Sequence, residues 1–154
     1  MIIVVGGAEQ PGTDLVSALN AENFNDLVIV LDHKNEESAA NLVGKRLSKK
    51  IRYKELTRFL DVNQLHTQFV IVTSKDGFDQ AEHIWNTCIK WGFPLVVASA
   101  ERTHFDDLAE KSESKPYYWS ILKYSDKEVN ELPAAIIQRM RNRKESGVYE
   151  LASV

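Results

Sequence analysis

Four short apolar runs punctuate the chain: Ile2–Val5, Leu27–Leu31, Gln68–Thr73 and Leu95–Ala98. Each is rich in Val, Ile and Leu with little polar alternation, the pattern of strands buried on both faces of a parallel sheet. Between them the apolar positions recur at helical spacing. The first such stretch runs from about Gly12 to Asn23, with Leu15, Val16 and Leu19 apolar and Pro11 and Thr13 near its start. A second covers about Glu36 to Val43 and a third Tyr53 to Leu60. The fourth, about Phe78 to Trp91, puts Ile84, Trp85, Cys88 and Trp91 on one face, with Asp76 as a candidate cap. A fifth, about Ser120 to Arg143, contains Pro133, which is expected to kink or break it. Gly147 to Val154 is a candidate terminal edge strand. This alternation predicts an α/β fold, a doubly wound parallel sheet in three layers.

Composition adds bounds. A chain of 154 residues with 44% hydrophobic and 27% charged content fits a single globular domain with a real core, 1–154, whose strand/helix alternation occupies 1–143. The net charge of −3 gives no global attraction to nucleic acid or an anionic membrane, so neither is an expected partner. Cys88 is the only cysteine, which excludes an intramolecular disulfide framework. The N-terminal apolar run has four residues and no basic segment before it, so it does not read as a signal peptide. The expectation is a cytoplasmic protein, or one built into a larger assembly.

The candidate chemistry is concentrated in the first turn. Strand Ile2–Val5 runs into Gly6-Gly7-Ala8, and Gly12 opens the first helix. In a G-x-x-G-x-x-G loop the first glycine makes the tight turn and the second admits the pyrophosphate. The third allows close helix–strand packing, and the helix N-terminus holds the negative charge. Here the middle position is Glu9, a carboxylate where the phosphates approach. Asp32 follows the second strand, 20 residues past Gly12, where an acid would accept from ribose hydroxyls or cap the next helix. The cofactor-binding candidates are therefore Gly6, Gly7, Ala8, Gly12 and Asp32.

These residues resemble the extended short-chain dehydrogenase/reductases, and most closely the NAD-dependent ADP-glycero-manno-heptose 6-epimerases. The similarity runs through the GGAxxxG loop, Val28–Asp32 and Asn41-Leu42-Val43. It resumes at Ile84 to Ser99, with Cys88, Pro94 and Ala98-Ser99, and again at Tyr118 to Glu128. It implies a Rossmann-like fold, NAD or NADP as cofactor, and only the N-terminal half of such an enzyme, with no separate substrate domain. The family's chemistry uses a Tyr acid/base, a Lys four residues on and a Ser or Thr beside the reacting oxygen. The best match puts Lys123 at the lysine, Trp119 at the tyrosine and Ala100 at the serine. Tyr118 is one residue off, and Tyr124 and Lys127 are three apart. Indole has no proton to trade at neutral pH. No catalytic residue is expected.

The resemblance thus implies a truncated pseudoenzyme that has lost its cofactor and acts as a structural or protein-interaction component. The alternatives are an NAD(P) or nucleotide-sugar sensor, and an enzyme with residual activity in which Tyr118 serves as the acid. A partner protein or a second copy is expected on the helices near 78–91 and 120–143, with Trp85, Trp91, Trp119, Ile121 and Tyr124 as anchors. The stretch Lys45–Lys54, with Lys45, Arg46, Lys49, Lys50, Arg52 and Lys54, reads as a solvated face balanced by nearby acids. Joined to Arg139, Arg141, Arg143 and Lys144 it would instead be a phosphate-binding patch. His33, His66, His83 and His104 show no ligand spacing, so no metal is expected. Cys88 reads as structural.

Overall fold

The computed structural model describes residues 1–31, 36–73, 81–100, 106–143 and 145–151, with side chains described outside 36–38, 81 and 106–108. Its strands are β1 (Ile2–Val5), β2 (Leu27–Leu31), β3 (Lys49–Arg52), β4 (Phe69–Val72), β5 (Leu95–Ser99), β6 (Trp119–Lys123) and β7 (Gly147–Glu150). Its α-helices are α1 (Gly12–Ala21), α2 (Leu56–Val62), α3 (Ala81–Trp91), α4 (Asp106–Ser112) and α5 (Leu132–Arg141). Short 3-10 turns at Glu36–Leu42, Tyr53–Glu55 and Asp126–Glu131 complete the connections. The strands make one parallel sheet of order β3-β2-β1-β4-β5-β6-β7, a doubly wound, Rossmann-like α/β fold.

The central strands are buried on both faces, and their odd and even residues divide into two cores. Ile3, Val5, Val70, Val72, Leu95 and Val97 face α2, α3 and α4, meeting Leu60, Trp85 and Cys88. Ile2, Val4, Ile29, Phe69, Ile71 and Val96 face α1 and α5, meeting Leu15, Leu19 and Ile136. Each such side chain, taken fully out of water, contributes about 1.5–3 kcal/mol.

Polar clamps fix the ends of the elements. Asn20, at the end of α1, donates to the carbonyls of Phe24 (3.1 Å) and Arg46 (2.8 Å) and accepts from the Arg46 N–H (2.8 Å). The Arg46 guanidinium in turn caps the Asn20 carbonyl at 2.8 Å, one of the orphan acceptors of a helix C-terminus. In the α3 face, the Trp85 indole N–H donates to the Ser112 hydroxyl, which lies 2.9 Å from the Tyr117 hydroxyl. This buried chain ties α3 to α4 and to the segment entering β6.

The structure corrects the sequence reading in three places, one of them α4 (Asp106–Ser112), where no helix is predicted. Lys49–Arg52 is an edge strand with only Ile51 buried, so the apolar run that marks a strand is missing. The fifth helix does not begin at Ser120. Trp119–Lys123 is strand β6, the following 3-10 turn is capped at Ser125, and Pro133 stands at the start of α5 instead of kinking it. Proline is well placed there because the first helical N–H groups have no intrahelical partner anyway.

A candidate nucleotide site at the carboxyl edge

The β1–α1 turn is built from residues that cannot easily be anything else. Gly6 has φ +85°, a conformation that favours glycine, while its N–H donates to the Val30 carbonyl at 3.1 Å. A Cβ at Gly12 would fall onto the Gly6 carbonyl oxygen and within 2.8 Å of the Gly7 Cα, so α1 reaches β1 only because position 12 is glycine. Gly7 packs on Ile29 and Val4, and Ala8 is buried, its carbonyl accepting from the Asn41 side-chain amide at 3.0 Å.

Two amides of this turn are committed within it. The Glu9 N–H points to the Gly6 carbonyl at 3.4 Å, and the Thr13 N–H donates to the Glu9 carbonyl at 3.0 Å. Gln10 donates to the Asp14 carboxylate at 3.0 Å. Two carboxylates, Glu9 and Asp14, therefore sit at the amino end of α1. Side-chain acids suit that end of a helix dipole, and they repel a pyrophosphate brought to the same place. Gly6, Gly7, Ala8 and Gly12 are gathered in one turn, as the sequence implied. Asp32, His33, Lys34, Asp76, His104 and Lys144 lie outside the described residues.

Further along the carboxyl edge, Thr73 at the end of β4 spends its hydroxyl on the Val5 carbonyl at 2.9 Å. Ser99 is fully buried at the end of β5 and is the register partner of Lys123 at the end of β6, while Ala100 is exposed. Trp119 and Lys123 are thus the two ends of a strand. Four residues along a strand span about 13 Å, whereas four along a helix bring side chains to about 6 Å. The pairing of Trp119 with Lys123 as a helical acid/lysine set is overturned. Trp119 is buried against Trp85, ring centroids 6.2 Å apart.

Tyr118 stands at the opposite, amino edge of the sheet, its ring tilted on Phe69 with centroids 6.4 Å apart. Burial raises its hydroxyl pKa, and a strand's length separates it from the glycine turn. It cannot act as the acid at that turn.

Among the remaining candidates, the proposed anchors depart from expectation. Trp85, Trp119 and Ile121 are buried, and α3 and α5 cover opposite faces of the sheet, so the proposed anchors do not form one docking surface. Trp91, half-buried, donates its indole N–H to Asp61 at 2.7 Å. Cys88 is fully buried and its thiol pKa is pushed up by desolvation. Among the described residues no three His, Cys, Asp or Glu side chains gather as a metal site. No helix among the described residues is long and apolar enough to cross a membrane. The two basic clusters do not merge. Arg139 lies over the Tyr149 ring (3.9 Å), Arg141 pairs with Glu22 (2.6 Å) and Arg143 lies over Phe69 (4.9 Å), each serving α5 packing.

The Rossmann-like fold superposes on solved short-chain dehydrogenase/reductases. A member from Veillonella parvula DSM 2008, solved in complex with NADP, superposes with TM-score 0.63 at 9% identity, over 94% of this chain and 88% of that one. A dehydrogenase/reductase from Sinorhizobium meliloti 1021 gives TM-score 0.60 at 11% identity, over 96% and 90%. The UDP-glucose 4-epimerase of Thermotoga maritima, solved with UDP-glucose, gives 0.57 at 15% identity, over 80% of this chain and 54% of the enzyme. No protein-family model matches the chain. At these identities the likeness establishes the fold, one shared by NAD(P)-dependent reductases and an epimerase.

Proposed function

We propose that this chain is a catalytically silent member of the epimerase-like branch, related to the ADP-heptose enzymes that its sequence resembles. It uses the Rossmann-like fold as a scaffold for protein interaction and not for redox chemistry. The observation that carries this reading is the β1–α1 turn. Its packing glycines are in place, but two acidic residues, Glu9 and Asp14, stand at the amino end of α1 and the Glu9 amide is turned onto Gly6. The sequence supports the same reading, because no tyrosine is followed by a lysine four residues on. Thermal-shift titration of the purified chain with NAD, NADP, ADP and nucleotide sugars tests it. The expected result is no stabilisation at millimolar ligand. A binder would gain about 2.7 kcal/mol at one hundred times its Kd, and a saturable gain of that kind would overturn the proposal.

The second reading is a nucleotide sensor without catalysis. It is favoured by the turn itself, since Gly6 and Gly12 keep the backbone geometry in which α1 opens directly beside β1. The same titration separates the two.

A further inference from the structure

Charge in this chain is sharply divided. Residues 45–58 hold seven basic side chains (Lys45, Arg46, Lys49, Lys50, Arg52, Lys54 and Arg58) and one acid, Glu55. That is a formal +6, in a chain whose remainder is −9. The fold places this segment on β3, an outer strand of the sheet, on the 3-10 turn after it and on α2. Arg46 is used internally, on the end of α1. Lys49, Lys50, Lys54 and Arg58 are exposed.

Between β3 and α2 lies a groove of about 880 Å³, rimmed by Lys49, Lys50, Lys54 and Arg58, with Phe59 and Val62 among its apolar lining. Among the described residues none of these four cations is in an ion pair, and Lys49 lies over the Phe59 ring at 5.5 Å. Apolar side chains are left in water alongside: Val62 is 72% exposed, and Leu65 in the turn after α2 is 91% exposed. Scattered exposed apolar residues need no explanation, but these two adjoin the strongly basic stretch 45–58.

We infer that the β3–α2 groove is the docking surface for an acidic, apolar-bearing polypeptide segment of a partner protein. This rests on the scaffold reading above and names the surface and the partner's chemistry. Charge complementarity selects the occupant. Unpaired rim cations attract a carboxylate-rich segment and set its register, while the apolar floor and Val62 supply the burial that holds it. A second copy docked face to face would set +6 against +6, which excludes that symmetric dimer. Nucleic acid is disfavoured because the groove's aromatic ring, Phe59, already carries Lys49 in place of a base.

The test uses the full chain and fluorescence anisotropy with a labelled synthetic peptide of about ten residues alternating Glu and Leu. Comparators are a Lys–Leu peptide, oligothymidylate and phosphatidylserine-containing vesicles. Saturable binding of the Glu–Leu peptide above all comparators is expected. Binding should fall about tenfold or more in the triple variant Lys50→Glu, Lys54→Glu, Arg58→Glu, and should also weaken in Val62→Asp. All four positions are exposed, so the variants should keep the parent melting temperature, which circular dichroism checks. Undiminished binding by the triple variant, tighter binding of oligothymidylate or vesicles, or no peptide binding would overturn the inference. The scaffold reading fails on a different result, saturable nucleotide binding or turnover, so the two failures are distinguishable.

Discussion

At the β1–α1 turn, Gly12 stands where a side chain would strike backbone, and the Glu9 and Thr13 amides bond within the turn. Further along the carboxyl edge, buried Ser99 at the end of β5 pairs in register with Lys123, while Trp119 lies at the opposite end of β6, buried against Trp85. The first region is fixed by packing; in the second, the side chains matched to the family's helical pair stand a strand's length apart. The difference teaches that the two demands are separable in this fold. A glycine that lets α1 touch β1 is needed whether or not a cofactor binds, whereas an acid/base pair is needed only for turnover.

The sharpest way to break that comparison is Gly12→Ala. The added Cβ meets the Gly6 carbonyl and the Gly7 Cα, both backbone, so nothing flexible can yield. The expected loss is about 4 kcal/mol or more, read by urea unfolding, and a loss below about 1 kcal/mol would show that the turn tolerates a side chain. Next in size is Ser112→Ala, in the chain that joins Trp85 to Tyr117. It leaves the buried indole N–H without its acceptor, at a cost of about 1–3 kcal/mol. Ser112→Thr, which keeps the hydroxyl, should cost less if the hydrogen bond and not the volume is responsible.

Alkaline pH sharpens the same chain more gently. Burial is the main cause that pushes Tyr117 up to about 12 from its ordinary 10.0. Above pH 10 the unfolded chain loses this proton while the folded one keeps it, so the stabilisation present below pH 10 is lost as pH rises toward 12. Tyr117→Phe should flatten stability over that window relative to the parent, and an unchanged slope would remove Tyr117 as its source.

The sequence made much of the fold legible where burial was two-sided. β1, β2, β4 and β5 are continuous aliphatic runs because helices cover both of their faces. β3 was hidden because an edge strand buries one residue in four, Ile51, and displays Lys49, Lys50 and Arg52. β6 was merged into a helix because Ile121, Leu122 and Tyr124 continue an apolar pattern toward Leu132. A signal against that reading was present in Ser125-Asp126-Lys127-Glu128. The Ser125 N–H is held by the Glu128 carboxylate at 2.7 Å, a reciprocal cap that marks a helix start and so ends the strand before it. Of the candidate site, the glycine turn was legible because its residues are close in sequence. The Ser99–Lys123 juxtaposition was not, since only the parallel pairing of β5 with β6 brings the two together. The basic groove was half legible: the charge run was plain, but its gathering with Phe59 and Val62 depends on α2 folding back against β3.

The central claim is that the opening turn is retained for packing and no longer receives a dinucleotide. Isothermal titration of the parent chain with NAD and NADP, beside Glu9→Gly, tests it most directly. No saturable heat is expected for the parent at millimolar cofactor, with the parent fully folded throughout. Saturable binding to the parent, and above all binding that Glu9→Gly leaves unchanged, would contradict it.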